Sequence, residues 1–149
     1  MTELTQLYTV AEHGFGDCLR TAFACILDKQ SPEEIPMFTF EEDGTPTGPD
    51  WGLKMMRWFR EQGYEWDTID LKAVREGREM APGTMEMLDG YWVASGLSPR
   101  YYPDGSIMHH AVVGFGRDMQ IVHDPHPLRT GLRGLPETAY CLTPIQSAA

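Results

Sequence analysis

The chain is poor in basic charge. Twelve Lys and Arg stand against 22 Asp and Glu, for a formal net charge of −10. A protein that binds a nucleic-acid backbone needs a basic footprint, and so does one that adsorbs to an anionic membrane. Neither partner is expected. Four of the basic residues, Arg100, Arg117, Arg129 and Arg133, fall in the second half, where loops can still gather a local basic pocket. Long apolar runs are missing as well. No stretch of about 18 apolar residues is present to span a bilayer. The polar amino terminus lacks the apolar core of a signal peptide. Cysteine is scarce and its count is odd. Cys18, Cys25 and Cys141 match neither a CxxC spacing nor a disulfide framework. These absences lead to the expectation of a reduced, cytoplasmic protein. Internal repeats and low-complexity tracts are also missing.

What is present suits one domain over residues 1–149, long enough to bury a core without a disulfide or structural metal. Leu4 to Val10 alternates weakly as a short strand, and Ala11 to Gly16 reads as a loop. From Asp17 to Leu27, the residues Leu19, Ala22, Phe23, Ile26 and Leu27 repeat at helical spacing, with Asp17 as cap or first-turn acid. Ser31, Pro32 and Glu34 form a capping box that Pro36 limits to about one turn. The next ten residues, 41–50, are rich in glycine, proline and acids and read as a solvated loop. A helix follows over Trp51–Gln62, with Leu53, Met56 and Phe59 on its apolar face and Gly63 as its stop. Tyr64 to Leu71 reads as a strand, Lys72 to Met80 as a surface helix, and Tyr91 to Gly96 as a buried strand that ends in the loop 97–100. Strands over 109–115, 119–124 and 138–143 complete the chain. Helices first and strands after them give an α+β class, with the helices on one side of an antiparallel sheet.

Cys18 stands where the Gly16-Asp17 loop enters the first long helix. The first turn of a helix carries unpaired N–H groups and the positive end of its dipole, which lower the pKa of a thiol placed there. Cys25, two turns on, reads as a small buried apolar residue.

The segments His109–Phe115 and Met119–Asp124 form a hairpin with a three-residue turn, Gly116-Arg117-Asp118. Pairing Phe115 with Met119 sets Val113 opposite Ile121, Val112 opposite Val122 and His110 opposite Asp124. Opposed side chains share a face, so an imidazole meets a carboxylate. This register selects His110 over His109, and a one-residue slip or a bulge exchanges them. His123 then falls on the opposite face. His126, after Pro125, is placed to border a pocket.

Cys18, His110 and Asp124 are the residue types of a thiol acyl-transfer site: nucleophile, base and orienting acid. The oxyanion needs donors. The Cys18 N–H is one, and His13 is the best side-chain donor in the loop before it. The expected substrate is a peptide, isopeptide or other small amide, with no cofactor and no metal.

Taken together these segments resemble the papain-like cysteine peptidase superfamily, above all its small bacteriocin-leader-peptidase-like members. There a cysteine opens the central helix, a histidine starts a strand and an Asp-Pro follows on the next. The chain is similar also to a group of small bacterial and phage proteins. The shared segments are Gly16 to Cys18, Pro32 to Phe38, Ala94 to Arg100 and His123 to Pro127. The resemblance implies a papain-like fold with Cys18, His110 and Asp124 as catalytic residues. It adds Ser95, Ser98 and Arg100 as pocket residues, with Arg100 placed to hold a substrate carboxylate. One departure stands out. The superfamily usually carries a glutamine about six residues before the cysteine as oxyanion donor, where this chain has Glu12 and then His13. Its nearest upstream glutamine is Gln6.

Two rival readings use the same residues. One is a metal site drawn from Cys18, His109 or His110, His123, Asp124 and His126. The other is a non-catalytic inhibitor or adaptor on the same fold, whose acidic surface meets a protein partner.

Overall fold

The computed structural model describes residues 1–41 and 43–146; Glu42, in the loop 41–50, and residues 147–149 lie outside them. The class is α+β. Five antiparallel strands form one sheet: β1 (Tyr64–Asp70), β2 (Tyr91–Tyr101), β3 (Ile107–Phe115), β4 (Gln120–His123) and β5 (Thr138–Pro144). Their spatial order is β1-β5-β2-β3-β4, so β5 is inserted between β1 and β2. Four helices accompany them: α1 (Val10–His13), α2 (Cys18–Ile26), α3 (Trp51–Glu61) and α4 (Leu71–Arg75). No helix among the described residues is long and apolar enough to cross a membrane.

Helix α2 follows the predicted stripe and buries Ala22, Phe23 and Cys25. It lies with α3 on one face of the sheet. Phe23 meets Phe59 at 4.7 Å between ring centroids, and the cluster continues onto Val93, Ala111 and Val113 of the strands. The buried face of α3 is Met55 and Phe59, whereas Leu53, expected inside, is exposed. The opposite face of the sheet is covered too, which corrects the one-sided arrangement expected from the sequence. There Leu71 of α4 and Leu88 of the 3-10 turn Met85–Leu88 pack on Trp92, Val112, Ala139 and Cys141. The reason is local. Asp70 caps α4 through the Lys72 and Ala73 amides, and this turns Leu71 and Ala73 inward where a wholly solvated helix was expected.

Three further expectations are corrected. Leu4 to Val10 is not a strand; Thr9 instead caps the single turn α1 by accepting the Glu12 N–H. Strand β2 does not stop at Gly96 but runs to Tyr101, with an irregular register between Leu97 and Tyr101. The β3–β4 turn has four residues rather than three. Phe115 pairs with Gln120 and Gly114 with Ile121, and a bulge then sets Val113 opposite His123. Met119 closes this turn in the left-handed region at φ 59°, a conformation that no pattern of apolar residues announces. The capping box at Ser31 forms as read: Ser31 Oγ accepts the Glu33 N–H and Glu34 accepts that of Ser31.

Gly114 has a packing reason to lack a side chain. It pairs with Trp92 across β2–β3, and a Cβ built on it would stand 2.6 Å from the Trp92 ring.

Candidate active site

Cys18 is the first residue of α2, at the positive end of the helix. The segment that presents it is pinned by Asp17. This buried carboxylate sits at the cap position but makes no capping bond. One oxygen accepts the Tyr8 N–H at 2.9 Å, and the other accepts Arg20 Nε at 2.9 Å. The chain before the cysteine is thereby tied to the helix after it.

His110 is buried on β3. Its Nε2 lies 2.6 Å from Asp124 Oδ1, which leaves Nδ1 as the ring nitrogen free to face Cys18, and the imidazole acts on the thiol by lowering its pKa. The Ala111 amide also acts on the thiol, lowering its pKa. Strand topology explains why this amide is available. The Ser95 carbonyl takes the Glu137 N–H on the β5 side. Its pairing partner Ala111 therefore points toward β4, and β4 has ended at His123, opposite Val113.

Asp124 follows β4 and is held in place by the turn it begins. Oδ1 also accepts the His126 N–H at 2.9 Å, and Oδ2 accepts that of Gly131 at 2.7 Å. Arg129 returns to the Asp124 carbonyl. The His110–Asp124 contact thus arises from a carboxylate reaching back beyond the strand end, not from the direct opposition that the three-residue turn implied.

The electrostatics agree with an ion pair. Burial pushes the Cys18 thiol up, but the His110 charge and the bonds from His110 and Ala111 outweigh it, and the net shift is downward. Burial pulls His110 down, yet the Cys18 thiolate and Asp124 carry its pKa up to about 9. Asp124 is lowered: burial opposes this, and the bond to His110 with its charge prevails. The other thiols differ. Burial raises Cys25, and it pushes Cys141 up to about 12.

Cys18 and His110 line a cleft of about 600 Å³. Ser95 lines it too, as does Tyr140. Several other candidates lie elsewhere. His13 is exposed at the end of α1, where its Nδ1 accepts the Thr9 N–H, and does not line the cleft. Ser98 is fully buried and accepts the Arg100 N–H. Arg100 donates to Thr130 and does not line the cleft. His126 stands edge-on to His110, 6.1 Å between ring centroids, with Nδ1 accepting the Leu128 N–H. Burial, then the charges of Arg100 and His110, hold it below the ordinary histidine range. His123 is occupied by the Leu4 carbonyl at 2.7 Å. Among the described residues no group of three or more His, Cys, Asp or Glu is placed to hold a metal ion, so the donors of the metal reading are not gathered.

The cleft also contains residues that sequence reasoning did not single out. Tyr102, Phe40, Trp51 and Glu137 line it. They come from four separate segments of the chain. The phenol of Tyr102 is raised by burial and then by the nearby Cys18 thiolate. Gln6, the nearest upstream glutamine, is the alternative to His13 as oxyanion donor, reaching in by a longer loop. It is buried against Gly16, whose Cβ, if built, would lie 3.4 Å from Gln6 Nε2. Its amide donates to the Tyr8 carbonyl, and its backbone N–H bonds Pro125, next to Asp124.

Comparison of the chain with protein-family models, with curated proteins and with solved structures finds no match.

Proposed function

We propose that the chain is a thiol hydrolase or acyltransferase of papain-like design, acting on a peptide, isopeptide or other amide bond through a thioester. The observation that carries this reading is the Cys18–His110–Asp124 array opening on the cleft, with the thiol lowered and the imidazole raised. A cysteine at the start of a buried helix, packed on an antiparallel sheet that brings the histidine and an Asp-Pro, supports the fold assignment.

The Cys18 thiolate attacks the amide carbonyl carbon. A C–S bond forms, and the carbonyl π pair moves onto oxygen. The backbone N–H of Cys18, unpaired at the helix start, is one donor to that oxyanion. For the second donor we assign Gln6 Nε2, which lies outside the cleft lining beside Gly16 and keeps one hydrogen beyond its bond to Tyr8. The tetrahedral species collapses, the C–N bond breaks, and the amine leaves with the proton of His110. Water, or an acceptor amine, then gives a proton to His110 and attacks the thioester, and the thiolate departs. Asp124 holds the ring with Nε2 toward itself throughout.

The test is alkylation of each cysteine by iodoacetamide across pH 4 to 9, read by mass spectrometry in the native protein and in His110→Ala. The expected result is rapid reaction of Cys18 alone near pH 7, with its apparent pKa raised by more than about one unit in the variant. Slow reaction of Cys18 in both proteins, titrating near the free thiol value, would sink the hydrolase reading and leave a binding role.

A further inference from the structure

The cleft beside Cys18 has an unusual charge content. Among the described residues, Glu137 is the one carboxylate that lines it, and no Lys or Arg does. Glu137 is exposed, and no Lys or Arg forms an ion pair with it. It precedes β5, where its backbone is fixed on both sides: its N–H bonds Ser95 and its carbonyl takes the Leu71 N–H. The side chain is therefore carried on a rigid segment. Four aromatic rings, from Phe40, Trp51, Tyr102 and Tyr140, share the wall with aliphatic, hydroxyl and histidine side chains. Arg100, the residue expected to receive a substrate carboxylate, is engaged with Thr130 outside the cleft.

A carboxylate set among aromatic rings favours a cation. The rings attract an ammonium or guanidinium through their quadrupoles, and partial desolvation strengthens both contributions. An anionic group in the same place would meet Glu137, while the charge of the thiolate is balanced by the His110 imidazolium. The −10 net charge acts in the same direction at long range, since it concentrates cations near the surface.

We infer that this cleft selects amides bearing a cationic side chain, guanidinium or ammonium, close to the reacting carbonyl, with Glu137 as the residue that recognises the charge. The inference rests on the cleft being the substrate site of the proposed hydrolase, and its test does not use the thiol.

Binding of Nα-benzoyl-arginine amide and its neutral isostere Nα-benzoyl-citrulline amide to the Cys18→Ala protein is followed by calorimetry and by tryptophan fluorescence, to which Trp51 contributes from the cleft wall. The arginine amide is expected to bind about tenfold more tightly at low ionic strength, with the margin shrinking as salt is added. Glu137→Gln is expected to bring the two within about twofold, because the change removes charge and little else. Equal affinities in the Cys18→Ala protein, no saturable binding of either amide, or a preference that survives Glu137→Gln would each overturn the inference. Failure of the hydrolase reading shows separately, in the alkylation rates of Cys18. A cation preference with an inert Cys18 would keep the recognition site and discard the chemistry.

Discussion

His110 Nε2 and Asp124 Oδ1 stand 2.6 Å apart, both side chains almost wholly buried, and the same carboxylate receives the amides of His126 and Gly131. Asp124 thus holds the imidazole and its own turn at once. Asp124→Asn keeps the shape but removes the charge, and it turns an NH2 toward either the ring or an amide donor. It is expected to lower the His110 pKa from about 9 and to slow alkylation of Cys18 at neutral pH roughly tenfold. A stability loss of about 1–3 kcal/mol should accompany this, from the donor left without an acceptor. Histidine NMR titration, alkylation kinetics and urea unfolding read the three effects.

The pH dependence has a definite sign. His110 is raised from 6.5 to about 9, so its contribution to stability is fully present below pH 6.5 and is lost as pH rises through about 9. The Cys18 thiol is lowered, so its contribution is present at high pH and is lost as pH falls through its folded value. The ion pair therefore persists between the lowered thiol pKa and about 9. Unfolding free energies of the native protein and His110→Gln, measured from pH 6 to 10, should converge toward the upper end. Divergence there would contradict the assignment.

Gln6 separates oxyanion stabilisation from thiol activation. An alkylation by iodoacetamide develops no carbonyl oxyanion, whereas acylation by p-nitrophenyl acetate does. Gln6→Ala should leave the first unchanged and slow the second about a hundredfold. The Gln6 Oε1 atom is buried without a partner, so the substitution removes no hydrogen bond accepted by the side chain. His13→Ala, at an exposed position outside the cleft, should alter neither rate.

Gly114 tests the sheet that carries His110. A methyl group there would meet the Trp92 ring at 2.6 Å, and both residues are buried in strands that cannot shift independently. Gly114→Ala is expected to cost about 1–3 kcal/mol by overpacking, seen in urea unfolding and as a changed near-ultraviolet signal from Trp92.

The elements legible from the sequence were those with strong apolar spacing. The stripe of Leu19, Ala22 and Phe23 located α2, and the run from Ala111 to Val113 located β3. The pairing of β3 with β4 was not legible in detail. It depends on Met119 adopting a left-handed backbone and on a bulge near Val122, which local geometry decides and which leave no periodic trace. The His110–Asp124 contact was nevertheless identified, because Asp124 turns back toward the strand it has left. His13 failed as a candidate for a related reason. It is near Cys18 in sequence, but Thr9 caps a turn that carries it outward. Glu137 and Tyr102 gave no signal at all: an acid before a strand and a tyrosine before a turn are ordinary until the fold sets them in one cleft with Cys18.

The insertion of β5 between β1 and β2 has a consequence for how the protein comes into being. β1 touches the rest of the sheet only through β5, and β5 follows every other strand along the chain. A polypeptide emerging from the ribosome with β1 to β4 already outside still lacks the strand that joins α3 and β1 to the histidine-bearing half. The segment before it carries Glu137, and its backbone anchors the Ser95 carbonyl whose direction frees the Ala111 amide for the sulfur. The surroundings of the Cys18 thiol are thus completed only when β5 docks, after β1 to β4 have been made.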